Sequence, residues 1–278
     1  MAAVQNISAR FEPGTISAII GPSGCGKTSL IHTAAGLRRP SSGEIRIEGK
    51  TVTGVRKKTA VIFQDYGLLP WKTVFANAEL PLKLAGVSKH ERRERVAALF
   101  GEFGLSPFAK LYPRRLSGGM KQRLAITRAL AAEPDLLLMD EPFSSLDALT
   151  REDAQDFLLS VKRATSPHAS RTQAGLGKDS RDSNRVTQEK NPLTIIIVTH
   201  SIEEAVYLAD QVWVMTGKNP GRISGNFAVP PGLKRGDGQF LELCNMLREE
   251  LKKPGSSNAS IDSDVVNNTT TTGEHGGT

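Results

Sequence analysis

The sequence contains only two cysteines among its 278 residues, Cys25 and Cys244, and they lie far apart in the chain. This scarcity argues against a disulfide scaffold and against a zinc site. Long apolar runs are also missing, because the longest fall well short of the roughly 18 to 20 residues that a membrane-spanning helix needs. The first residues lack a basic start followed by an apolar stretch, so we expect no secretory signal and a cytoplasmic setting.

The positive charge of the chain is concentrated in one stretch. Of a net charge of +7, residues 162–190 contribute seven basic and three acidic residues, a balance of +4. Almost no apolar residues occur there, so burial cannot offset the entropy of ordering the backbone. We predict a disordered insertion at about residues 164–191, either a docking arm or a plain solvated loop, and a disordered low-complexity tail at residues 254–278.

Strand-like and helix-like segments alternate along the rest of the chain, which predicts an α/β fold. Several segments are uniformly apolar, as is typical of parallel strands that are covered on both faces. The charged, helical pattern of residues 71–132 breaks this alternation and indicates an inserted helical subdomain at about residues 67–133. The predicted strands are residues 15–20, 59–63, 135–139, 194–199 and 211–215, and a helix is predicted at residues 148–163.

A glycine-rich junction between the first strand and the first helix fits the pattern G-x-x-x-x-G-K-[ST]. Its glycines let several backbone N–H groups converge, and the helix that follows adds about half a positive charge. Such a nest holds phosphate oxygens, with Lys27 reaching the β- and γ-phosphates and the Thr28 hydroxyl ligating Mg²⁺. The alternative is a glycine-rich turn without a ligand. The predicted nucleotide-binding residues are Gly21, Pro22, Ser23, Gly24, Cys25, Gly26, Lys27, Thr28 and Ser29, where Cys25 is interpreted as a small residue that fits.

Acidic residues follow a second apolar strand, at the edge where open α/β sheets bind ligands. We expect Asp140 to hold Mg²⁺ through the water shell of the metal and Glu141 to polarise the attacking water, worth roughly 10² to 10⁴ in rate. A third apolar strand ends at His200, whose imidazole would hydrogen-bond the γ-phosphate from the same edge. Taken alone, the two acids would be solvated strand caps and the histidine would be structural. Together with the glycine-rich junction, they favour hydrolysis.

Six motifs of the chain resemble those of the ABC-type ATPases and occur in the same order. The signature motif of that family is similar to "LSGGMKQR" at residues 116–123, between the glycine-rich junction and "LLLMDEP". Gln64 resembles the Q-loop residue, "SSLD" at residues 144–147 the D-loop, and His200 the switch histidine. The likeness extends from about residue 4 to residue 251 apart from the insertion. It implies one ABC ATPase nucleotide-binding domain over residues 1–253, with a RecA-like P-loop NTPase core, a mostly parallel sheet and a small antiparallel β part.

The resemblance also implies a head-to-tail dimer with ATP between the phosphate loop of one subunit and the signature motif of the other. N–H groups at a helix start would then bind the γ-phosphate in trans, and the D-loop would contribute a further nucleotide contact. Without a phosphate loop, the signature segment would be an N-cap followed by flexible glycines. The residues implied are Ser117, Gly118, Gly119 and Asp147 for the nucleotide, Gln64 for both catalysis and Mg²⁺, and Glu141 and His200 for catalysis.

Two further segments resemble the ATPases of nitrate, sulfonate, taurine and bicarbonate importers, namely "GLLPWKTVFANAELPLKLAG" and "VWVMTGKNPGRI". This likeness implies uptake of a small anionic solute through a separate permease, with a second ATPase subunit and, indirectly, a solute-binding protein. The chain would be a peripheral subunit at the cytoplasmic face of the plasma membrane. Trp71 and Leu69 would lie near the groove that receives the coupling helix of the permease. Alternatively, Pro70 and Trp71 would pack the join between core and helical subdomain.

Two other functions remain open at this point. The pI near 9.5 and the basic insertion would suit a soluble ABC ATPase that acts on nucleic acid or ribosomes. However, the chain has neither two cassettes nor a long coiled coil, so we expect no nucleic-acid partner. A regulatory subunit that no longer hydrolyses ATP is disfavoured by Glu141 and His200.

The sequence departs from the ABC pattern before the glycine-rich junction. Family members usually carry an adenine-stacking aromatic residue well upstream, but only twenty residues precede Gly21. Phe11, expected in a strand and turn, is interpreted as a core residue. Since a stacked base contributes about 1 to 3 kcal/mol, we expect ATP affinity to be lowered by about one to two orders of magnitude, unless the N-terminus is truncated.

Overall fold

The computed structural model describes residues 2–165, 192–218 and 220–253. The predicted tail lies outside the described residues, as does the predicted insertion from residue 166 onward. Residues 164 and 165 were predicted to belong to the insertion, but Ala164 is the last residue of a helix and Thr165 is its C-cap. No helix in the described ranges is both long and apolar enough to span a membrane.

Eight strands form two sheets in the described part of the chain. They are β1 Ile16–Ile20, β2 Arg46–Ile47, β3 Lys50–Thr51, β4 Thr59–Ile62, β5 Leu136–Asp140, β6 Thr194–Thr199, β7 Gln211–Thr216 and β8 Arg222–Ala228. The main sheet has the order β4-β5-β6-β1-β7-β8, and β2 pairs with β3 in a small antiparallel hairpin. All neighbours in the main sheet are parallel except β7 and β8. The predicted mostly parallel sheet with a small antiparallel part is therefore confirmed.

The central strands are buried on both faces. All five residues of β1 are buried, and successive residues pack into two different apolar clusters, with Ala18 and Ile20 in one and Ile19 in the other. The predicted boundaries of the five strands are correct to within one residue. Strand β5 ends at Asp140 rather than at Met139, so Asp140 is itself a buried strand residue.

Strand β8 and the segment around Phe11 differ from the sequence prediction. Strand β8 was not predicted, because its sequence RISGNFA contains a glycine and its residues at the sheet edge are only partly buried. Conversely, residues 7–14 form no strand. The Phe11 ring is half-buried and packs against Trp213 with a centroid distance of 5.3 Å, so its interpretation as a core residue holds.

Seven α-helices are present in the described residues, and five of them begin at a side-chain N-cap. The helices are α1 Lys27–Ala34, α2 Val74–Leu84, α3 Lys89–Glu102, α4 Gly118–Ala131, α5 Ala148–Ala164, α6 Ile202–Leu208 and α7 Gly238–Lys252. A Thr, Ser or Asp oxygen accepts an N–H bond from the first turn of α2 to α6, which satisfies a donor that the helix leaves free. The capping residues are Thr73, Ser88, Ser117, Asp147 and Ser201.

The helical region between β4 and β5 is not helical throughout, contrary to the prediction for residues 71–132. Residues 103–117 contain only two short 3-10 turns, each with a proline in its first turn. Helices α2, α3 and α4 nevertheless share an apolar cluster of their own, in which Phe75 and Phe100 meet edge to face at 5.4 Å. This cluster holds the signature helix α4 against the rest of the helical region.

Candidate nucleotide site

The glycine-rich loop connects the buried strand β1 to helix α1. Gly24 and Gly26 have φ angles of 82° and 97°, a left-handed conformation that glycine adopts without steric cost. Gly26 is the N-cap of α1 and has no side chain to bind the first-turn N–H groups. These groups lie at the positive end of the helix and are available to an anion.

The side chain of Lys27 lies inside this loop and contacts its backbone. Its side chain is buried, and Nζ donates to the carbonyl oxygens of Gly21 at 2.7 Å and Pro22 at 3.1 Å. The Cys25 side chain is fully buried as well, as expected for a small residue that fits. A positive charge therefore lies among the backbone donors of the loop, where it adds to their attraction for phosphate.

The hydroxyl of Thr28 and the carboxylate of Asp140 meet beside the loop. Thr28 Oγ1 donates to Asp140 Oδ1 at 3.2 Å, and burial raises the pKa of Asp140 although this hydrogen bond opposes the rise. A hydroxyl and one carboxylate suit Mg²⁺, which takes its remaining ligands from phosphate and water. No group of three or more His, Cys, Asp or Glu side chains that could hold a metal occurs in the described residues.

Glu141 and His200 form a pair at the ends of neighbouring strands. Glu141 Oε2 lies 3.3 Å from His200 Nδ1, and the imidazole is more exposed than the carboxylate, at 58% against 23%. Glu141 has a φ of 45°, which is strained for a residue with a side chain. Its backbone is held on both sides, because its N–H donates to Val198 and its carbonyl accepts from the Ser144 hydroxyl, each at 2.9 Å.

Gln64 lies two residues beyond the end of β4 and is exposed. Because β4, β5, β6 and β1 are adjacent and parallel, their carboxyl ends meet at one edge of the sheet. The structure therefore brings Gln64, Asp140, Glu141, His200 and the glycine-rich loop to the same edge. The sequence analysis predicted this edge for Asp140, Glu141 and His200.

Tyr66 connects this edge to two other motifs and was not found by the sequence analysis. Its side chain is buried, its φ is 64°, and its hydroxyl is 2.8 Å from Ser145 Oγ in the SSLD segment. The Arg128 guanidinium on α4 donates to the carbonyls of Tyr66 and Gly67, both at 2.6 Å. An aromatic residue close behind Gln64 was the available sequence signal, but its partners are distant in sequence.

The signature segment opens helix α4. Ser117 is exposed and caps the helix, since its Oγ accepts from the Met120 N–H at 3.3 Å. A Cβ at Gly118 would lie 2.7 Å from Leu146 Cδ2, and one at Gly119 would lie 2.6 Å from Thr150 Cγ2. The two glycines thus allow α4 to approach the Leu146 side chain of the D-loop and the Thr150 side chain in the first turn of α5. In the described residues, no hydrogen bond or ion pair joins this segment to the glycine-rich loop of the same chain.

Asp147 is an exposed N-cap. Its Oδ1 accepts from the Thr150 N–H at 3.1 Å, and this hydrogen bond lowers the pKa of its carboxyl. Two contacts therefore hold the D-loop in place. The Ser145 hydroxyl contacts the Tyr66 hydroxyl, and the Asp147 carboxylate caps helix α5.

A buried acid, Glu204, lies behind the Glu141 and His200 pair and was also missed by the sequence analysis. Burial raises its pKa to about 7, against hydrogen bonds from Thr199 and Gln155 that lower it. Gln155 Nε2 donates to Glu204 Oε2 at 3.3 Å, and Gln155 also accepts from Arg235. These contacts connect α6 to α5.

The segment after Gln64 contains one exposed aromatic side chain. Trp71 is 70% exposed, so the structure contradicts the alternative in which it packs the join between core and helical region. Pro70 is exposed too, whereas Leu69 is partly buried and its N–H donates to Asn77 Oδ1 at 2.8 Å.

A phosphate loop that follows a strand of a mostly parallel sheet, with acids at the end of another strand of that sheet, defines a P-loop NTPase. The comparisons with known proteins narrow this class. A family model described as "ABC transporter" matches residues 4–144. The taurine import ATP-binding protein TauB of Yersinia pestis bv. Antiqua is 38% identical over 248 residues, which are 89% of this chain and 86% of that protein. The chain therefore belongs to the ABC transporter family, and it is an ATP-binding ATPase.

Another relative and a solved structure agree with this assignment. The nitrate import ATP-binding protein NrtD of Synechocystis sp. is 37% identical over 227 residues, 82% of this chain and 75% of that protein. The dimeric post-hydrolysis structure of the ATP-binding cassette MJ0796 bound to ADP and Pi has a TM-score of 0.63 at 27% identity, covering 82% of this chain and 91% of the other. The predicted P-loop NTPase fold is confirmed.

Proposed function

We propose that this chain is the ATP-hydrolysing subunit of an importer that takes up a small anionic solute of the nitrate or sulfonate type through a separate permease. The observation that carries the proposal is the Glu141 and His200 pair next to the Thr28 and Asp140 contact. An acid and an imidazole at this place can activate water against a phosphate that the loop holds. The names of TauB and NrtD support the solute class.

Nucleotide binding is assigned to the glycine-rich loop. Residues 21–29 would surround the phosphates with N–H groups, and the Lys27 ammonium would turn from its carbonyl partners to the β- and γ-phosphates. Thr28, Asp140 and Gln64 would hold Mg²⁺, which would neutralise negative charge on the phosphates. The buried position of Asp140 supports this assignment, because a carboxylate in such a place is stabilised by a nearby cation.

Hydrolysis is assigned to Glu141, His200 and Gln64. Glu141 would accept a proton from the attacking water, and the strained but doubly held backbone keeps its carboxylate in place. His200 would donate a hydrogen bond to the γ-phosphate. Its Nδ1 contact with Glu141 would hold the two groups next to each other before the reaction.

The second half of the site would come from another copy of the chain. Ser117, Gly118, Gly119 and Asp147 would contact the nucleotide across a head-to-tail dimer. The exposed positions of Ser117 and Asp147, and the dimeric form of the MJ0796 structure, support this arrangement. The domain would comprise residues 1–253, with residues 67–133 as its helical subdomain.

The permease would bind near Gln64. Trp71 offers a large exposed apolar side chain at the end of the segment that begins there, and such side chains are frequent in protein interfaces. The chain would then lie at the cytoplasmic face of the plasma membrane as a peripheral subunit, and a solute-binding protein would deliver the solute to the other face. No observation on the described residues favours nucleic acid.

Two measurements test the proposal. The purified full chain with Mg²⁺ should release phosphate from ATP at steady state, and absence of release would favour a regulatory subunit. In the cells that encode the chain, replacing Lys27 by Ala should abolish uptake of labelled taurine, alkanesulfonate or nitrate. If the Lys27→Ala cells took up all three solutes normally, the assigned solute class would be contradicted, even if the purified chain released phosphate from ATP.

A further inference from the structure

The turn between β7 and β8 contacts the backbone of the phosphate loop. Gly221 is buried there, and a Cβ at this position would overlap the carbonyl oxygen of Cys25 and lie 2.8 Å from its carbonyl carbon. Only glycine permits such a close approach of two backbones. Gly221 is not in the left-handed region, so the space, and not its own conformation, requires a glycine.

The first residues of the described chain touch the same loop one residue further on. A Cβ at Gly26 would lie 2.5 Å from Val4 Cγ1 and 2.7 Å from the carbonyl oxygen of Ala3. The Val4 side chain packs against the apolar cluster that contains Cys25. Two consecutive loop residues, Cys25 and Gly26, are thus backed by two separate parts of the chain.

Those two parts are joined to each other by backbone hydrogen bonds. The Gly221 N–H donates to the Ala3 carbonyl and the Gln5 N–H donates to the Gly221 carbonyl, each at 3.0 Å, which makes a parallel bridge between Val4 and Gly221. We call Ala3, Val4, Gln5 and Gly221 the backbone brace. The contacts of the brace are made by main-chain atoms and one methyl group. Such groups have fewer rotatable bonds than a long polar side chain, so the brace is the more rigid support.

The brace acts on the peptide unit between Cys25 and Gly26. In a trans peptide the C=O and the N–H of one unit are coplanar and point in opposite directions. Because the Cys25 carbonyl points at Gly221, the Gly26 N–H points away from the brace. That side of the loop also holds the free N–H groups at the start of α1.

We propose that the backbone brace sets the orientation of the phosphate loop and that Gly221 is a positioning residue for nucleotide binding. The ligand is the phosphate chain of the nucleotide, so the inference rests on the proposed function and deepens it. It also gives a physical role to the "PGR" at residues 220–222, which the sequence analysis noted only as a resemblance to importer ATPases.

The test is a comparison of Gly221→Ala with Gly54→Ala. A Cβ at Gly54 would meet no atom within 4 Å, and Gly54 also has no positive φ, so its variant is the matched control. We expect Gly221→Ala to raise the KM for ATP, and the Kd for the nucleotide measured by calorimetry with Mg²⁺, by about tenfold or more. Its kcat at saturating ATP should stay within about threefold of wild type, because Glu141 and His200 are untouched. Gly54→Ala should match wild type in both constants.

A second variant loosens the brace without adding atoms behind the loop. Gln5→Pro removes the N–H that donates to Gly221, at an exposed position, whereas Gln5→Ala keeps it. We expect a rise in KM of about threefold or more for Gln5→Pro and none for Gln5→Ala. This pair decides the question if Gly221→Ala fails to fold, as monitored by circular dichroism and thermal unfolding.

The outcomes separate the brace from the proposed function. If the wild-type chain takes up no nucleotide, the proposed function fails and the brace with it. If wild type binds and Gly221→Ala binds equally well, only the brace is overturned. A variant that lowers kcat with an unchanged KM also overturns the brace, because it would act on the chemistry and not on the loop.

Discussion

The starts of helices α1 and α4 both contain glycine, yet their surroundings differ. Helix α1 starts from a loop that is backed by β1, β7 and the first residues of the described chain, and it carries the buried Lys27 and the Thr28 contact to Asp140. Helix α4 starts at an exposed serine, and its glycines serve to pack it against α5. The start of α1 is enclosed by other parts of the same chain, whereas the start of α4 is exposed at Ser117.

The difference indicates that two helix starts can attract an anion with unequal strength. The N-cap Gly26 of α1 is left-handed, whereas the N-cap Ser117 of α4 is extended. A helix N-terminus alone contributes about 0.3 to 1 kcal/mol to the binding of an exposed anion. At α1 a full positive charge and a carboxylate that suits Mg²⁺ add to this amount, whereas at α4 Ser117 already satisfies one of the N–H groups. We therefore expect α1 to determine affinity for the nucleotide and α4 to act only once the nucleotide is bound.

The strongest test of this comparison removes the charge at α1. We expect Lys27→Ala to abolish ATP binding at ordinary nucleotide concentrations, measured by calorimetry with Mg²⁺, because the loop loses its ammonium group. Lys121→Ala is the control, since it removes a lysine from the first turns of α4 instead. Equal affinities for the two variants would contradict the assignment of binding to α1.

Separating binding from hydrolysis sharpens the comparison. Glu141→Gln keeps the shape of the side chain but removes the base, so hydrolysis should fall by at least about a hundredfold while ATP still binds. The variant should trap an ATP-bound dimer, visible as a doubled mass in light scattering. Glu249→Gln, on the exposed face of α7, should behave as wild type. Near-normal turnover of Glu141→Gln would mean that another group is the base.

Crowding the start of α4 tests the other half of the comparison. In Gly119→Ala the new methyl group meets Thr150 Cγ2 and shifts the helix start. We expect hydrolysis to fall by about tenfold, with the Kd for ATP within about twofold of wild type. Gly101→Ala, in α3 with no atom within 4 Å of the added Cβ, is the control. A large loss of affinity in Gly119→Ala would show that α4 contributes to the first binding step.

The smallest expected effect concerns Glu204, which lies between the strand-end acids and α5. Its pKa rises from 4.5 to about 7 on folding, so its burial costs nothing below pH 4.5 and destabilises the fold increasingly as the pH rises to about 7. Glu204→Gln lacks this cost. It should therefore raise the free energy of unfolding by about 2 kcal/mol more at pH 8.5 than at pH 5.5, measured by urea denaturation.

The neighbouring residue supplies the control for this measurement. Glu203 is exposed and pairs with Arg248, so Glu203→Gln should change stability little and equally at both pH values. A pH-independent difference for Glu204→Gln would mean that Arg151 and Gln155 already compensate the buried carboxylate in its charged form.

The sequence predicted the parallel core and the strand-end residues because their signals are local. Uniformly apolar strands and a glycine pattern need no knowledge of distant contacts, so β1, β5 and β6 were found to within one residue. Strand β8 was missed because an edge strand with a glycine lacks that signal. Tyr66 and Glu204 were missed for another reason, since their partners Ser145, Arg128 and Gln155 are 45 or more residues away and only folding brings them together.

The double attachment of Tyr66 has a mechanical consequence. Its hydroxyl is tied to the D-loop and its carbonyl to the signature helix, while Trp71 is exposed a few residues further on. If Trp71 were displaced together with the backbone between it and Tyr66, one of the two hydrogen bonds of Tyr66 would break or its partner would move as well. A displacement of Trp71 that moved the Tyr66 backbone would therefore also act on the D-loop and on helix α4.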